Sequence, residues 1–409
     1  MIIEPKIRSN ICINAHPIGC AKEVYRQIEF VKAQKAKRGT KSCKEGGKGP
    51  KTVLVLGCST GYGLASRISA AFEYGADTIG VSFEKEGTET RGGTPGWYNN
   101  KAFDKAATEA GLKSVTLNGD AYSHEMRAAV LEEIKKFGTK VDLIVYSLAS
   151  PVRTDPDTKE MYKSVIKPVG QSYGGVCLDI IEEKLTTANA EPATEEEMAN
   201  TVKVMGGEDW QLWIDYLLKA DVLAEGCCTV AYSYIGPKWT HAIYRDGTIG
   251  GAKKHLETTG RNLDAQLKAA VNGSAYVSEN KGLVTRSSAV IPVISLYLSI
   301  LFKVMKAKGL HEGCIEQMER LFAERLYTGA DGAMAEVPVD EEHRIRVDDW
   351  EMREDIQEEA GKYMAEVTEA NLSQYCDLAG YKHDFLVTNG FDVDGVDYSA
   401  DVARMDVIE

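Results

Sequence analysis

Basic residues are in short supply in this chain of 409 residues, and this limits what it can bind. Lysine and arginine number 48 against 61 aspartate and glutamate residues, so the formal net charge is −13 at pH 7. Phosphate backbones are bound by basic surfaces, and an acidic chain therefore argues against a nucleic-acid partner. We expect an acidic, soluble protein.

The sequence also lacks a long apolar run and a secretory signal. Its longest apolar run, residues 289–302, spans 14 residues and contains Pro292, whereas a helix needs about 20 apolar residues to span a bilayer. We interpret this run as a buried helix and expect no membrane insertion. Residues 1–14 alternate apolar and charged side chains, so no export signal is expected.

Cysteine, histidine and serine patterns that would indicate other chemistries are absent too. The nine cysteines are odd in number and form no C-x-x-C pair, so neither a zinc site nor a disulfide framework is expected. The seven histidines show no H-E-x-x-H spacing, and no G-x-S-x-G elbow occurs. We therefore expect a cytoplasmic protein with no bound metal.

A glycine turn between a strand and a helix is the most informative feature that is present. Residues 53–65 begin with four apolar residues, continue with Gly57, Gly61 and Gly63, and lead into a helix. A pyrophosphate can approach the backbone only where no Cβ intervenes, and the helix N-terminus offers it free N–H groups. The G-x3-G-x-G spacing is typical of short-chain dehydrogenases and predicts nicotinamide chemistry. A glycine-rich turn without a ligand is the alternative, and the flanking strand and helix count against it.

An acidic residue after the next strand indicates which nicotinamide cofactor is used. The predicted strand at 78–83 leads into Glu84. An acid at this place accepts hydrogen bonds from the adenosine ribose hydroxyls and repels a 2′-phosphate, so Glu84 favours NADH over NADPH. The neighbouring Lys85 weakens this inference, because a cation could tolerate the extra phosphate.

Two further strands complete the first half of a parallel sheet. The third, 114–117, is followed by Asp120, which either reaches the adenine amino group or, like Ser123, caps the next helix. The fourth, 142–146, runs into small residues at 147–151, where a cofactor could lie against the backbone. This order of elements predicts an α/β fold: a Rossmann-type doubly wound parallel sheet, with helical and loop additions that cover the substrate side.

We divide the chain into three parts that form one integrated unit. Residues 1–50 are an N-terminal extension, residues 51–308 the NADH-binding and catalytic core, and residues 309–409 a mostly helical C-terminal extension packed on the core. The core carries a substrate-side insertion at about 153–223. The segment 32–51 has eight basic residues and a single acidic one, so we expect a mobile basic arm. This arm either attracts a phosphate-bearing substrate or is a solvated loop.

A tyrosine and a lysine after the fifth predicted strand, 226–235, supply the chemistry of a reductase. The reacting oxygen of the substrate needs an acid, and a nearby ammonium favours the phenolate of a tyrosine. Tyr244 and Lys253 can therefore give and regain a proton near neutral pH. Eight residues separate them, whereas ordinary short-chain dehydrogenases have a gap of about three, one helical turn. Three glycines lie between them, so we expect Tyr244 on a loop and Lys253 in the first turn of the next helix.

A second tyrosine, Tyr234, lies ten residues before Tyr244 at the end of the fifth strand. A carbonyl-reducing enzyme would place a serine near this strand end, and Ser233 is available there. The paired tyrosines instead indicate an enoyl reductase, in which phenols hydrogen-bond a thioester carbonyl. A packing role is the alternative for Tyr234, since tyrosine is common in strands.

Together these features resemble the trans-2-enoyl-CoA reductase family, which includes long, single-chain bacterial enoyl-acyl-carrier-protein reductases. The resemblance covers nearly the full length, and the eight-residue gap between Tyr244 and Lys253 is its discriminating element. It also rests on residues 57–62, 83–84, 118–121, 146–153, 232–237, 284–285 and 291–292.

The resemblance implies a reaction and a set of site residues. NADH delivers hydride to the β carbon of a trans-2-enoyl-CoA such as crotonyl-CoA, with Tyr244 as proton donor and Tyr234 as a substrate contact. Thr285 is expected near the carboxamide of the cofactor. The residues implied to hold NADH are Gly57, Cys58, Ser59, Thr60, Gly61, Tyr62, Phe83, Glu84, Asp120, Ala121, Leu148, Ala149, Lys253, Leu283, Val284 and Thr285.

Two alternatives are kept beside this assignment. An enoyl-acyl-carrier-protein reductase of fatty-acid synthesis is the nearer one, and it would add an acyl carrier protein as partner. A non-enzymatic NAD-binding sensor is more distant, and the intact pair of Tyr244 and Lys253 counts against it. Members of the family vary at the positions of Arg286 and Ser295, where chain-length preference could be set. The sequence shows no heptad seam, so we expect a monomer.

Overall fold

Seven parallel strands form the central sheet of the protein. The computed structural model describes residues 1–8, 11–288, 291 and 294–404. In chain order the strands of the sheet are β1 (Thr52–Leu56), β2 (Asp77–Ser82), β3 (Ser114–Asn118), β4 (Val141–Tyr146), β5 (Leu223–Ser233), β6 (Ser274–Glu279) and β7 (Arg344–Arg346). Their order across the sheet is β3-β2-β1-β4-β5-β6-β7, and each neighbouring pair is parallel. This is a doubly wound Rossmann sheet extended by one strand, which confirms the predicted fold class.

Helices connect the strands and cover both faces of the sheet. In chain order they are α1 (Pro17–Arg38), α2 (Gly61–Phe72), α3 (Pro95–Glu109), α4 (His124–Phe137), α5 (Glu195–Met205), α6 (Glu208–Lys219), α7 (His241–Tyr244), α8 (Thr248–Val271), α9 (Ile294–Ala307), α10 (Cys314–Leu321), α11 (Glu354–Glu366), α12 (Leu372–Tyr375) and α13 (Leu378–Val387). Parallel strands need such crossover connections, because a short hairpin cannot join them.

Side chains of β1 alternate between two apolar clusters, as the pleat of a strand requires. Val53 and Val55 pack with residues of α1, α2, α3 and α10, whereas Leu54 and Leu56 pack with residues of α4, α6 and α8. All four side chains are fully buried. A strand that is buried on both faces reads as a continuous apolar run, which is why β1 was evident in the sequence.

A third apolar cluster lies beyond the carboxyl ends of the strands and is centred on α9. Most side chains of α9 are buried, and they pack with Tyr234, Tyr244, Leu283 and residues of α11 and α13. The prediction of a buried helix is confirmed for Ile294–Ala307, while Pro292 lies outside the described residues. In the described part of the chain, no helix is long and apolar enough to cross a membrane.

The insertion after β4 contains two antiparallel hairpins, followed by α5 and α6. The Leu178 N–H donates to Ser295 Oγ at 3.2 Å, and this hydroxyl donates to the Leu178 carbonyl oxygen at 2.8 Å. The second hairpin is therefore tied to α9 beside the strand ends. The antiparallel pairs of the chain are Ile7–Arg8 with Ile11–Cys12, Val152–Thr154 with Met161–Lys163, and Tyr173–Asp179 with Lys184–Ala190.

The prediction that 32–51 forms a mobile basic arm is wrong. Residues 32–38 are the end of α1, and the segment leads into β1 directly after Lys51. Its charges are partly paired, as between Lys35 and Glu45 at 3.0 Å. The segment also precedes the amino end of β1, whereas the glycine turn follows the carboxyl end.

The C-terminal part contributes a strand that sequence analysis missed. Strand β7 consists of Arg344, Ile345 and Arg346, and it pairs in parallel with the last three residues of β6. Three residues show too little alternation of apolar and polar side chains to be predicted as a strand. The mostly helical C-terminal extension thus also completes one edge of the sheet.

Candidate active site

The glycine turn after β1 has room for the phosphates of a ligand. Gly57 has a φ of +87°, and a Cβ on it would lie 2.2 Å from the carbonyl oxygen of Ser147. A Cβ on Gly63 would lie 1.9 Å from the carbonyl oxygen of Gly57. Only glycine fits at these two positions. Helix α2 starts at Gly61, and its N-cap residue Thr60 makes no side-chain capping bond, so N–H groups at this end are available to an anion.

Glu84 lies against this glycine turn. Ser59 Oγ donates a hydrogen bond to Glu84 Oε1 at 2.6 Å, and Arg286 Nη1 lies 3.7 Å from Glu84 Oε2. The neighbouring Phe83 is 82% exposed, so its ring is free to meet a ligand. The Glu84 carboxylate therefore lies at the glycine turn, with the Arg286 guanidinium beside it. The cation paired with it is Arg286, whereas the sequence pointed to Lys85.

The residues after β3 and β4 reach the same edge of the sheet. Asp120 Oδ1 accepts a hydrogen bond from the Tyr122 N–H at 2.9 Å. Helix α4 is capped by Ser123, whose Oγ accepts from the Met126 N–H at 3.0 Å, so Asp120 does not serve as the N-cap. The remaining predicted cofactor residues at these strand ends are Ala121, which is buried, Leu148, which is half-buried, and Ala149, which is exposed.

The loop after β6 lies against the glycine turn and the start of α2. Tyr62 donates its hydroxyl hydrogen to the carbonyl oxygen of Lys281 at 2.6 Å. A Cβ on Gly61 would lie 3.8 Å from Thr285 Cγ2. Leu283 and Val284 lie between Lys281 and Thr285 in the sequence, and both side chains are buried. The structure thus brings the predicted residues 283–285 to a turn that is more than 200 positions earlier in the chain.

Two predicted residues have contacts that the sequence did not indicate. Cys58 is fully buried in the core, and only its backbone belongs to the turn, where its N–H donates to the Val81 carbonyl oxygen at 3.1 Å. Lys253 is the sixth residue of α8, so it lies in the second helical turn and not in the first. Its Nζ donates to the Tyr232 carbonyl oxygen at 3.0 Å. Burial lowers the pKa of Lys253, and the carboxylate of Glu279 opposes this shift.

Tyr244 and Tyr234 are in direct contact. Their ring centroids are 5.0 Å apart and the rings are perpendicular at 90°, a favourable edge-to-face arrangement. Tyr244 ends the one-turn helix α7, an element separate from the helix of Lys253, and it is 7% exposed. Burial raises the pKa of Tyr244 above the ordinary value, and charge interactions with Tyr381 and Glu351 make smaller contributions in the same direction. The sequence argument expected an ammonium to favour the phenolate, whereas the raised pKa favours the neutral phenol, which can donate a hydrogen bond.

Glu351 is a buried carboxylate in this site that sequence analysis missed. Tyr234 and Tyr297 donate their hydroxyl hydrogens to its Oε1 at 3.0 and 2.9 Å, and the Gly282 N–H donates to its Oε2 at 2.6 Å. Glu351 itself is fully buried. It lies in an acidic stretch, 348–355, and 117 positions from Tyr234, so nothing in the sequence distinguished it from its neighbours.

A cavity of about 200 Å³ lies beside Tyr297. Side chains of the second hairpin, α9 and α11 line it, together with Trp239 and Thr240. Tyr297 lines it as well and shares the Glu351 carboxylate with Tyr234. The site therefore combines an open glycine turn with two packed tyrosines, and one of these shares Glu351 with a tyrosine that lines the cavity.

Family models match three consecutive parts of the chain. Residues 2–89 match the NAD(P)H binding domain of trans-2-enoyl-CoA reductase, residues 91–327 its catalytic region, and residues 339–402 the enoyl reductase FAD binding domain. The chain belongs to the trans-2-enoyl-CoA reductase family. This membership confirms the predicted family and the predicted enzyme class, an oxidoreductase.

Full-length relatives in this family carry two kinds of name. The trans-2-enoyl-CoA reductase [NADH] of Treponema denticola is 61% identical over 408 residues and 100% of both chains. The enoyl-[acyl-carrier-protein] reductase [NADH] of Cytophaga hutchinsonii is 52% identical and covers 100% of this chain and 99% of its own. The crystal structure of the Treponema denticola enzyme in complex with NAD covers 100% of both chains, with a TM-score of 0.94 and 61% identity.

The residues matched by the FAD binding domain of the family make contacts that stabilise the sheet and the site. Charged side chains in 339–402 are engaged with one another, as Arg344 with Asp340 at 2.8 Å and Arg346 with Asp348 at 2.6 Å. These residues complete the sheet with β7 and hold Tyr234 through Glu351.

Proposed function

We propose that the protein reduces the trans-2 double bond of an enoyl-CoA, such as crotonyl-CoA, to the acyl-CoA with NADH. One observation carries the proposal: a buried Tyr244 contacts Tyr234 beyond the strand ends, in the same apolar cluster as Leu283 and Val284. Family membership over the whole chain and the name of the Treponema denticola relative support it.

The cofactor is held by the glycine turn and its neighbours. NADH supplies a hydride when it is bound. The space at Gly57 and Gly63 admits the pyrophosphate, and the uncapped end of α2 offers it N–H groups. Glu84 accepts hydrogen bonds from the ribose hydroxyls and repels a 2′-phosphate, which favours NADH. Thr285 is on the loop that reaches Gly61, and it would meet the carboxamide of the bound cofactor.

Tyr244 stabilises the charge that develops on the substrate. Addition of hydride to the β carbon places negative charge on the thioester oxygen, and the α carbon then takes a proton from the Tyr244 hydroxyl, which regains one from water. The neutral Tyr244 hydroxyl donates a hydrogen bond to that oxygen, and such donors supply a large part of the lowering of the barrier. Lys253 Nζ donates to the Tyr232 carbonyl oxygen at the end of β5, and from there it would hold the ribose of the bound cofactor.

A carrier-protein thioester is the second candidate substrate. The Cytophaga hutchinsonii relative, which is named for this substrate, is 52% identical to the chain. The reacting enoyl thioester is the same in both cases. The two candidates therefore differ only in what is attached to the sulfur, CoA or an acyl carrier protein.

Steady-state kinetics with both cofactors and both kinds of thioester test the proposal. We expect NADH oxidation with crotonyl-CoA, and a kcat/KM for NADPH at least about tenfold lower, because Glu84 repels its extra phosphate. A higher kcat/KM with crotonyl-carrier protein than with crotonyl-CoA would favour the second candidate. Absence of NADH oxidation with every enoyl thioester would contradict the proposal and favour an NAD-binding sensor.

We also propose that the protein acts as a cytoplasmic monomer. All nine cysteines are free thiols, which suits a reducing compartment. The glycine turn, Tyr234, Tyr244 and Lys253 all come from one chain, and that chain needs no second copy to assemble them.

A further inference from the structure

Glu351 gathers three hydrogen-bond donors around one buried carboxylate. Its Oε1 accepts from the hydroxyls of Tyr234 and Tyr297, and its Oε2 accepts from the Gly282 N–H. Gln357 Nε2 donates in turn to the Tyr297 hydroxyl oxygen at 3.0 Å. This set of donors matches an ionised carboxylate, which accepts at both oxygens and donates at neither.

A buried lysine lies in the same cluster and offsets this charge. Burial raises the pKa of Glu351, while Lys281 and the Gly282 N–H oppose the rise. The Lys281 ammonium donates to the Gly282 carbonyl oxygen at 3.2 Å and lies 4.6 Å from the centroid of the Phe302 ring. Carboxylate and ammonium are thus both organised around the backbone of Gly282.

The hydrogen bond to Glu351 limits what Tyr234 can do. A phenol has a single hydrogen, and Tyr234 gives that hydrogen to Glu351 at 3.0 Å. Its ring packs against the ring of Tyr244 at the same time. Tyr234 therefore presents its ring and the lone pairs of its hydroxyl oxygen to the site, while its hydroxyl hydrogen is bonded to Glu351.

We propose that Glu351 is a positioning residue, which turns the hydroxyl hydrogen of Tyr234 away from the substrate and leaves Tyr244 as the phenol that donates to the thioester oxygen. This inference rests on the proposed function and revises the expectation that both phenols bond the carbonyl. The same carboxylate holds Gly282, directly before residues 283–285. It thereby fixes the tyrosine pair relative to the loop that meets the glycine turn.

A double-mutant cycle in the full chain tests this role. Glu351→Gln keeps the size of the side chain but replaces one accepting oxygen by a donating amide. We expect kcat with crotonyl-CoA to fall about tenfold, with the Kd of NADH changed less than about threefold. If Glu351 acts through Tyr234, Glu351→Gln should slow the Tyr234→Phe enzyme by less than about twofold. The effects of substitutions at two contacting residues are not additive when one residue acts through the other.

A matched control separates positioning from a general loss of stability. Glu73 is also fully buried and is held by Arg38 at 2.9 Å, but it caps the far end of α2. Glu73→Gln should lower the Tm as Glu351→Gln does and leave kcat within about twofold of the unmodified enzyme. Losses in kcat that multiply in the double variant, or an unchanged kcat in Glu351→Gln, would overturn the positioning role.

Tyr234→Phe alone decides the question if Glu351→Gln fails to fold. The proposal expects this variant to keep kcat within about tenfold, because the lost hydroxyl did not donate to the substrate. A loss of about a hundredfold or more would make Tyr234 a second donor and overturn the proposal. If the unmodified chain does not reduce crotonyl-CoA at all, the proposed function is what has failed.

Discussion

At the scale of single residues, Tyr244 shows how a buried phenol can serve this reaction without ionising. Burial raises its pKa above the ordinary value near ~10, so the hydroxyl keeps its hydrogen throughout the neutral range. The developing enolate needs a donor and not a base. A neutral phenol in an apolar cluster therefore suits the step better than the phenolate that a Tyr and Lys pair indicated from the sequence.

Replacing this hydroxyl gives the first prediction for a single residue. Tyr244→Phe should lower kcat with crotonyl-CoA by ~10²- to 10³-fold, the usual effect of losing one oxyanion donor. NADH binding, measured by fluorescence titration, should change little because the glycine turn is untouched. The unmodified enzyme should show no loss of kcat from ionisation of this tyrosine between about pH 6 and pH 9.

The half-buried Tyr375 of α12 provides the control for this substitution. It donates its hydroxyl hydrogen to Glu366 at 2.8 Å, and Tyr375→Phe should change kcat by less than about twofold. Near-normal turnover in Tyr244→Phe would show that another group donates to the thioester oxygen. An alkaline loss of activity with a midpoint near about pH 8, absent in Tyr244→Phe, would contradict the raised pKa.

Residues whose role depends on local geometry could be predicted, and residues held by distant partners could not. Gly57 and Gly63 were evident because the spacing of a phosphate-binding turn lies within a few positions of sequence. Glu351 and Arg286 meet Tyr234 and Glu84 only after the chain has folded. No periodicity or spacing connects such pairs, so a single sequence carries no signal for them.

At the scale of elements, long buried strands could be predicted from the sequence, and short or exposed strands could not. Strands β1 and β4 read as apolar runs because both of their faces are covered. The hairpin strand Lys184–Ala190 contains mostly polar and small residues, and its side chains are half-buried or exposed. The hydrophobic alternation that marks a strand is therefore weak there, and the insertion was predicted without its hairpins.

The turn between β1 and α2 gives a prediction for an element. Gly57→Ala should abolish NADH binding and lower stability, because its Cβ would lie 2.2 Å from the Ser147 carbonyl oxygen at a φ of +87°. Gly138 is the matched control, since it has a φ of +73° at the end of α4 and its Cβ would meet nothing within 4 Å.

Gly57→Ala and Gly138→Ala both place an alanine in a left-handed backbone conformation, which costs free energy of folding. They differ in the clash with the Ser147 carbonyl oxygen, which only the Cβ at position 57 would make. Gly138→Ala should cost about 1 kcal/mol in the free energy of unfolding and leave NADH binding intact. Gly57→Ala should cost at least about 2 kcal/mol more, measured by urea unfolding. Equal costs, with NADH still bound by Gly57→Ala, would show that the turn moves freely and does not define the site.

At the scale of the whole molecule, the C-terminal part belongs to the fold and is not an appendage. The N–H groups of Val347 and Asp348 both donate to the Glu279 carbonyl oxygen at 3.0 Å. Ile345 and Val347 are buried in the same apolar cluster as Val53 of β1. These contacts support the interpretation of one integrated unit, since the sheet and the site both depend on residues after position 338.

The integrated unit predicts a single, concentration-independent unfolding transition. Tryptophan fluorescence and circular dichroism should give the same urea midpoint, because the C-terminal part shares its core with the sheet. A monomer should also unfold at a midpoint that does not depend on protein concentration. A chain that ends at residue 338 should fail to reach the native circular dichroism, since it leaves the edge of β6 and the partners of Glu351 uncovered. If that shorter chain folded and bound NADH, the C-terminal part would be an independent addition, and Glu351 could not be what orders the site.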